Sequence, residues 1–284
     1  MGMANIKAVS DARLEGRFHA AHFRKVPAAS VVTVAKWWHD LSGVSGNPLP
    51  NYYASTPLAA GILDDFKGLF HGDDKSPAEM YLTKLGLMTP SAGLLGEYKL
   101  LDYLLYYPFI DGDDTDLQSM DNTVTLSRYS DVGGRVMAVC QAPTTGGGTF
   151  TYTYLNQDGV EHTSPTIGYS TAASNIGNLV TSQPAVALSG SPFLPMAEGD
   201  TSVLQINAVQ NISPAGGLIC FVIVQDLATL AIREINAAVE MEFISSRPGM
   251  PRIYDGAYLN YIMNCATTIA STTLSGYLDF IWSD

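Results

Sequence analysis

The chain has little charge, few cysteines and no long apolar run, and each shortage narrows what it can be. Charged residues make up 15% of its 284 residues, against about 25% in ordinary soluble domains. Cys140, Cys220 and Cys265 lie far apart with no C-x-x-C spacing, so neither a disulfide framework nor a zinc ribbon is indicated. Each falls in an apolar stretch (RVMAVCQA, GLICFVIV, LNYIMNCA), where a reduced thiol acts as a small hydrophobe. The longest apolar run, Leu218 to Val224, is far shorter than a membrane span of about 20 residues. The N-terminal MGMANIKAVSDARLEG lacks the apolar core of a signal peptide, and Ile6 stands where a myristoylation motif takes Ser or Thr. A soluble protein made in a cytoplasm, with no membrane association, is predicted.

Catalytic motifs are also missing. No G-x-S-x-G elbow, H-E-x-x-H helix, Walker loop or G-x-G-x-x-G turn occurs, and the glycines at 146–148 precede a strand pattern instead of a phosphate-binding helix. The five histidines (His19, His22, His39, His71, His162) are scattered, and the His19/His22 pair lacks a third ligand. No nucleophile, base and orienting group can be tied together. The expectation is a protein that is not an enzyme and has no cofactor, catalytic residue or metal site.

The acidic cluster in YYPFIDGDDTDLQSMDN tests that expectation. An EF-hand reading from Asp111 puts Asp116 where glycine is required and Asn122 where a bidentate Glu is required. A looser calcium cage from Asp111, Asp113, Asp114 and Asp116 is the alternative to a solvated turn that keeps an aromatic edge soluble.

What the chain does have is an uneven charge distribution. Its net charge is -12, yet residues 1–36 hold six cations (Lys7, Arg13, Arg17, Arg24, Lys25, Lys36) against Asp11 and Glu15. An acidic body without a Lys/Arg stripe argues against nucleic-acid binding. The basic segment is predicted to be an arm over residues 1–35 that orders only against a partner, with Arg13, Arg17, Arg24 and Lys25 meeting carboxylates there.

Residues 36–121 read as a mixed helix and loop region packing on the body. VVTVAKWWHDLSG fits a short helix or strand, and the prolines of GVSGNPLPNYYAS fix a loop. Thr56-Pro57 before TPLAAGILDDFKGLF and Ser76-Pro77 before SPAEMYLTKLGLM read as helix starts. From 122 to 284 the pattern changes to short β-branched and aromatic runs: TVTLSR, RVMAVCQA, TFTYTYL, VEHTSP, VLQINAV, GLICFVIV, AVEMEFIS and GYLDFIW. Asp158-Gly159 predicts a hairpin, and STAASNIGNLVTS a small inserted helix. The fold class is mainly β, a β-sandwich of jelly-roll or Ig-like topology with an irregular, partly helical N-terminal region.

Fifteen tyrosines supply rigid contact area. Tyr52 with Tyr53 and Tyr254 with Tyr258, in predicted loops, are the interface candidates.

GNPLPNYYAS, KLLDYLLYYPFIDGDDTD, MDNTVTLSRYSD, APTTGGGTFTYTYLNQDGVEHTSP, RIYDGAYLNYI and GYLDFIWS resemble stretches of structural proteins of tailed bacteriophages. The resemblance implies a virion component. The expected role is a capsid accessory or decoration subunit that contacts the major capsid protein and other virion proteins. A homo-oligomer is expected, a trimer by analogy with other particle subunits. A neck or tail protein and a receptor- or carbohydrate-binding module are the alternatives.

Overall fold

Alternation along TFTYTYLN puts Phe150, Tyr152 and Tyr154 in the core and Thr149, Thr151 and Thr153 on the other face, the two-residue period of a strand with one buried side. The same logic repeats through the computed structural model, which describes residues 6–27, 37–63, 65–169, 175–180, 190–244, 249–265, 267 and 272–284. In chain order the elements are α1 (Ile6–Leu14), β1 (Phe18–Lys25), β2 (Trp38–Asp40), β3 (Gly46–Asn47), β4 (Met80–Met88), β5 (Gly96–Asp111), β6 (Gln118–Ser119), β7 (Arg135–Ala142) and β8 (Thr149–Asn156). They continue with β9 (Glu161–Thr163), β10 (Ile167–Gly168), β11 (Val203–Ser213), β12 (Leu218–Ile232), β13 (Val239–Glu242), β14 (Arg252–Ile253), β15 (Tyr258–Cys265) and β16 (Leu274–Trp282). The protein is mainly β and sandwich-like, with a short N-terminal helix.

Three antiparallel sheets form. The central one has the order β2-β15-β5-β12-β7; a second runs β13-β4-β16-β1-β3 with β14 beside β4; a third runs β10-β8-β11-β6 with β9 beside β8. One face of the central sheet packs on the second sheet at one end, where Tyr98, Leu100 and Leu230 meet Leu82, Leu85 and Phe280. Farther along the same strands, Tyr107, Phe221 and Ile223 meet Phe150, Tyr152 and Val209 of the third sheet. The opposite face, bearing Leu101, Tyr103, Val222 and Tyr258, is covered by loop residues Tyr53, Leu63, Leu179 and Phe193. Burying a large apolar side chain is worth about 1.5–3 kcal/mol, so this doubly covered sheet is the main source of stability.

The predicted hairpin is present: β8 and β9 pair Thr153 with Thr163, and Gly159 supplies the positive φ of the turn. RVMAVCQA, VLQINAV, GLICFVIV, AVEMEFIS and GYLDFIW also become strands. TVTLSR does not, because Arg128 turns inward and its guanidinium pairs with buried Asp102 at 2.6 and 2.8 Å. All three cysteines are buried free thiols.

Both predicted helices are corrected. Within residues 76–88 lies strand β4 (Met80–Met88): Met80, Leu82, Leu85 and Leu87 line one face with a period of two, interrupted at a bulge opposite Asp279 and Phe280. That interruption imitates a helical stripe. The described residues of 56–70 hold a 3-10 turn at Asp65–Lys67 and isolated bridges at Ala59 and Gly61, with no α-helix among them. The free arm is also corrected. Residues 18–25 form β1, paired over its whole length with β16 and at its end with β3, because an uncovered β16 would leave a row of backbone groups unpaired. Of VVTVAKWWHDLSG, Trp38–Asp40 is strand β2 and residues 31–36 lie outside the described residues. In STAASNIGNLVTS the described part, 175–180, makes turns and bridges to His39 and Val139; residues 170–174 and 181–182 lie outside the described residues.

Candidate docking surface

Between β3 and β4 the described residues of 48–79 form no regular strand, yet the chain is pinned at intervals. Asn51 N–H donates to Ser42 O at 2.9 Å, Gly61 exchanges backbone bonds with Tyr106 at 2.9 Å, and Leu69 N–H donates to Leu259 O at 2.7 Å. A Cβ at Gly61 would fall 2.6 Å from the Tyr106 ring, so a larger residue there requires that ring to move. Buried Lys25 donates to Val44 O at 3.1 Å and Pro48 O at 2.9 Å, fixing the start of the loop. Burial lowers the Lys25 pKa to about 8, and a neutral amine still has the two N–H groups these carbonyls need.

Pinning sorts the side chains. Tyr53, Ala60, Leu63 and Leu69 turn inward, while Leu49 (76% exposed), Tyr52 (62%), Ile62 and Phe66 (68%) face solvent. Two recesses flank this wall. One of about 370 Å³ is lined by Tyr52, Phe109, Gln141, Ile176 and His39; the other, of about 480 Å³, by Leu49, Phe66, Phe70, His19 and His22.

The floor of the first recess is a closed polar network. Asp40 accepts Tyr103 Oη–H at 2.6 Å, Tyr53 Oη–H at 2.7 Å, Ser42 N–H at 3.1 Å and the Ser42 hydroxyl. Burial, and after it the Asp40 charge, raises the pKa of both phenols well above the ordinary tyrosine range. Gln141 Nε2 donates to Tyr53 O at 2.8 Å, and its Oε1 accepts Phe109 N–H at 2.7 Å, holding Phe109 at a φ of 59°. His39 Nδ1 lies 2.8 Å from Asn178 Oδ1, and burial lowers the His39 pKa. The Cys140 thiol on the recess wall is pushed up to about 12 by burial. Asp40, Tyr53 and Tyr103 are thus committed to bonds within the chain, whereas His39 Nε2 and Asn178 Nδ2 have no hydrogen-bond partner.

The expected contact residues are distributed unevenly. Tyr52 belongs to the wall. Tyr53 and Tyr258 do not: both are buried within the chain, Tyr53 on Asp40 and Tyr258 beside Tyr103 at 5.4 Å between ring centroids. Tyr254 is half-buried against Tyr129 and beneath Arg252. Arg13 lies 3.8 Å from Asp279, and Arg17 binds Trp282 O, Glu15 and Asp284. Arg24 is exposed and donates to Thr273 Oγ1 at 3.2 Å; Lys25 is buried. So the described contacts of Arg13, Arg17, Arg24 and Lys25 are made within their own chain. Sequence reasoning missed Leu49, Ile62 and Phe66, the last two because it put them in a helix. The signal available was GNPLPNYY, a proline-fixed loop carrying large apolar residues.

The aspartates of the Asp111–Asp116 loop are exposed, and the loop is bonded both within itself and to β11. Asp111 Oδ1 accepts Asp113 N–H and Asp114 Oδ1 accepts Asp116 N–H, both at 2.9 Å. Asn211 Nδ2 donates to the carbonyls of Asp111 and Asp114.

No family model and no curated protein matches the chain. Among solved structures, it aligns to the infectious bursal disease virus VP2 subviral particle at 8% identity and a TM-score of 0.16, over 93% of this chain and 80% of the other. At that score the two folds do not superpose.

Proposed function

We propose that the chain is a non-enzymatic structural subunit of a tailed-bacteriophage virion, an accessory or decoration protein that docks on the capsid through the 48–70 wall. The observation that carries this reading is the pinned loop presenting Leu49, Tyr52, Ile62 and Phe66 to solvent beside two recesses. A surface fixed before its partner arrives loses little entropy on binding. Large apolar anchors set near recesses are the form that contact hot spots take. Sparse charge supports the same reading, because charged residues are depleted at interface centres. So do the phrases that resemble phage structural proteins, and the commitment of Asp40, Tyr53 and Tyr103 to internal bonds.

The test is a triple variant, Leu49→Ser, Tyr52→Ser and Phe66→Ser, compared with wild type for incorporation into particles. All three side chains are exposed, so the melting temperature should move by no more than about 2–3 °C. Incorporation should be lost. A variant that enters particles as well as wild type would remove the wall from the account. Recovery of wild type only as free protein, or as a glycan binder, would remove the virion role.

A further inference from the structure

DFKGLFHGDD, which overlaps the end of the exposed wall, contains a side-chain cluster that neither the sheets nor the docking surface uses. Asp65, in the 3-10 turn, His71 and Asp74 each bring one potential ligand atom to within 4.8 Å of the other two. Acidic groups on a loop mean little alone, and His71 is what distinguishes this cluster. It is only 1% exposed, it packs against Phe70 and Phe280, and neither Nδ1 nor Nε2 has a hydrogen-bond partner. A buried imidazole has one N–H and one lone pair, or two N–H groups when charged. Leaving both nitrogens unmet is costly, and native folds rarely do so without a reason. Burial also lowers the pKa of the ring, which keeps the neutral form that ligates metals.

One oxygen of each carboxylate accepts a backbone N–H. Asp74 Oδ1 accepts Gly256 N–H and Asp65 Oδ1 accepts Phe66 N–H, each at 2.9 Å. We propose that Asp65, His71 and Asp74 bind one divalent cation of the zinc class, with water completing the coordination. One imidazole with two carboxylates is a donor set zinc accepts, whereas calcium and magnesium take oxygen cages. Bonds of about 2.0–2.2 Å require the ligand atoms to close in, a shift that the exposed side chain of Asp74 can supply. The ion ties the 3-10 turn carrying Phe66 to the loop that leads into β4, bridging a short and otherwise irregular segment.

The experiment uses the full chain, stripped of metal with a chelator, with ZnCl2, CaCl2 or MgCl2 added back. Zinc should raise the melting temperature by roughly 5 °C at saturating excess, with one ion bound per chain by calorimetry. Calcium and magnesium at the same concentration should not. The double variant Asp65→Asn plus Asp74→Asn should melt like the metal-free wild type and bind zinc at least about tenfold more weakly. Asp74→Asn alone, at an exposed position, serves the same comparison if the double variant is poorly folded. Absence of zinc binding by wild type, or undiminished binding by these variants as a site at His19 and His22 would give, overturns the proposal. A calcium shift as large as that of zinc overturns the assignment of metal class.

Discussion

The phenol of Tyr103 on β5 donates to Asp40 Oδ1 on β2 at 2.6 Å, although β15 runs between the two strands. The contact reaches across a strand and joins the sheet to the loop through Tyr53, which binds the other carboxylate oxygen at 2.7 Å. A buried carboxylate saturated by hydroxyls therefore holds the 48–70 loop to the core. Asp40→Ala leaves three hydroxyl groups without their acceptor and should cost about 3–5 kcal/mol, while Tyr103→Phe should cost about 1–2 kcal/mol. Urea unfolding of the single variants and the double variant measures both, with a coupling energy above about 1 kcal/mol expected. A loss below about 1 kcal/mol for Asp40→Ala would mean that the network is dispensable.

Alkaline pH should unfold the protein cooperatively. Burial raises the phenols of Tyr53, Tyr98 and Tyr103 well above their ordinary value and that of Tyr154 to about 12. A group whose folded pKa lies above its unfolded value of about 10 contributes stability that is intact below pH 10 and lost as pH rises beyond it. Lys25 acts in the opposite sense. Its folded pKa of about 8 lies below 10.5, so the unfolded chain holds more protons between those values and stability rises with pH there. The expected profile is a shallow gain from about pH 8 to 10 followed by collapse. Tyrosinate absorbance at 295 nm should then appear in one step with the loss of circular dichroism. A gradual rise in absorbance with the fold intact would contradict the burial of these rings.

Removing the N-terminus separates an arm from a structural strand. Deleting residues 1–26 removes β1 and exposes the edge of β16, so the product should aggregate or melt more than about 10 °C lower. Deleting residues 1–16 removes α1, whose Val9 and Ala12 pack on Ile281, and should cost much less. A soluble 27–284 chain with unchanged melting temperature would restore the arm.

Much of the second half of the fold was legible because its strands have one buried face and alternate openly, as β8 does, or are bounded by glycine and proline. The first half hid its strands for physical reasons. β5 is buried on both faces along most of its length, so LLDYLLYYPFI offers no alternation to read. β4 carries a bulge that shifts its apolar residues to helical spacing, and in FHAAHFRK only Phe23 and Lys25 are buried. The site was half legible. The proline-fixed loop and Tyr52 stood out, but adjacent Tyr53 was destined for Asp40, thirteen residues earlier, and nothing local told the two apart. His71 was visible only as one scattered histidine, because the burial that makes it informative is a tertiary property.

Where the chain sits on a particle tests the central claim most directly. A reconstruction of virions containing it should show its density on the capsid, with Leu49, Tyr52, Ile62 and Phe66 turned toward the major capsid protein and buried at the contact. Density at the neck or tail would move the subunit to another station. Particles without the chain, or with this wall facing open solvent, would contradict the account.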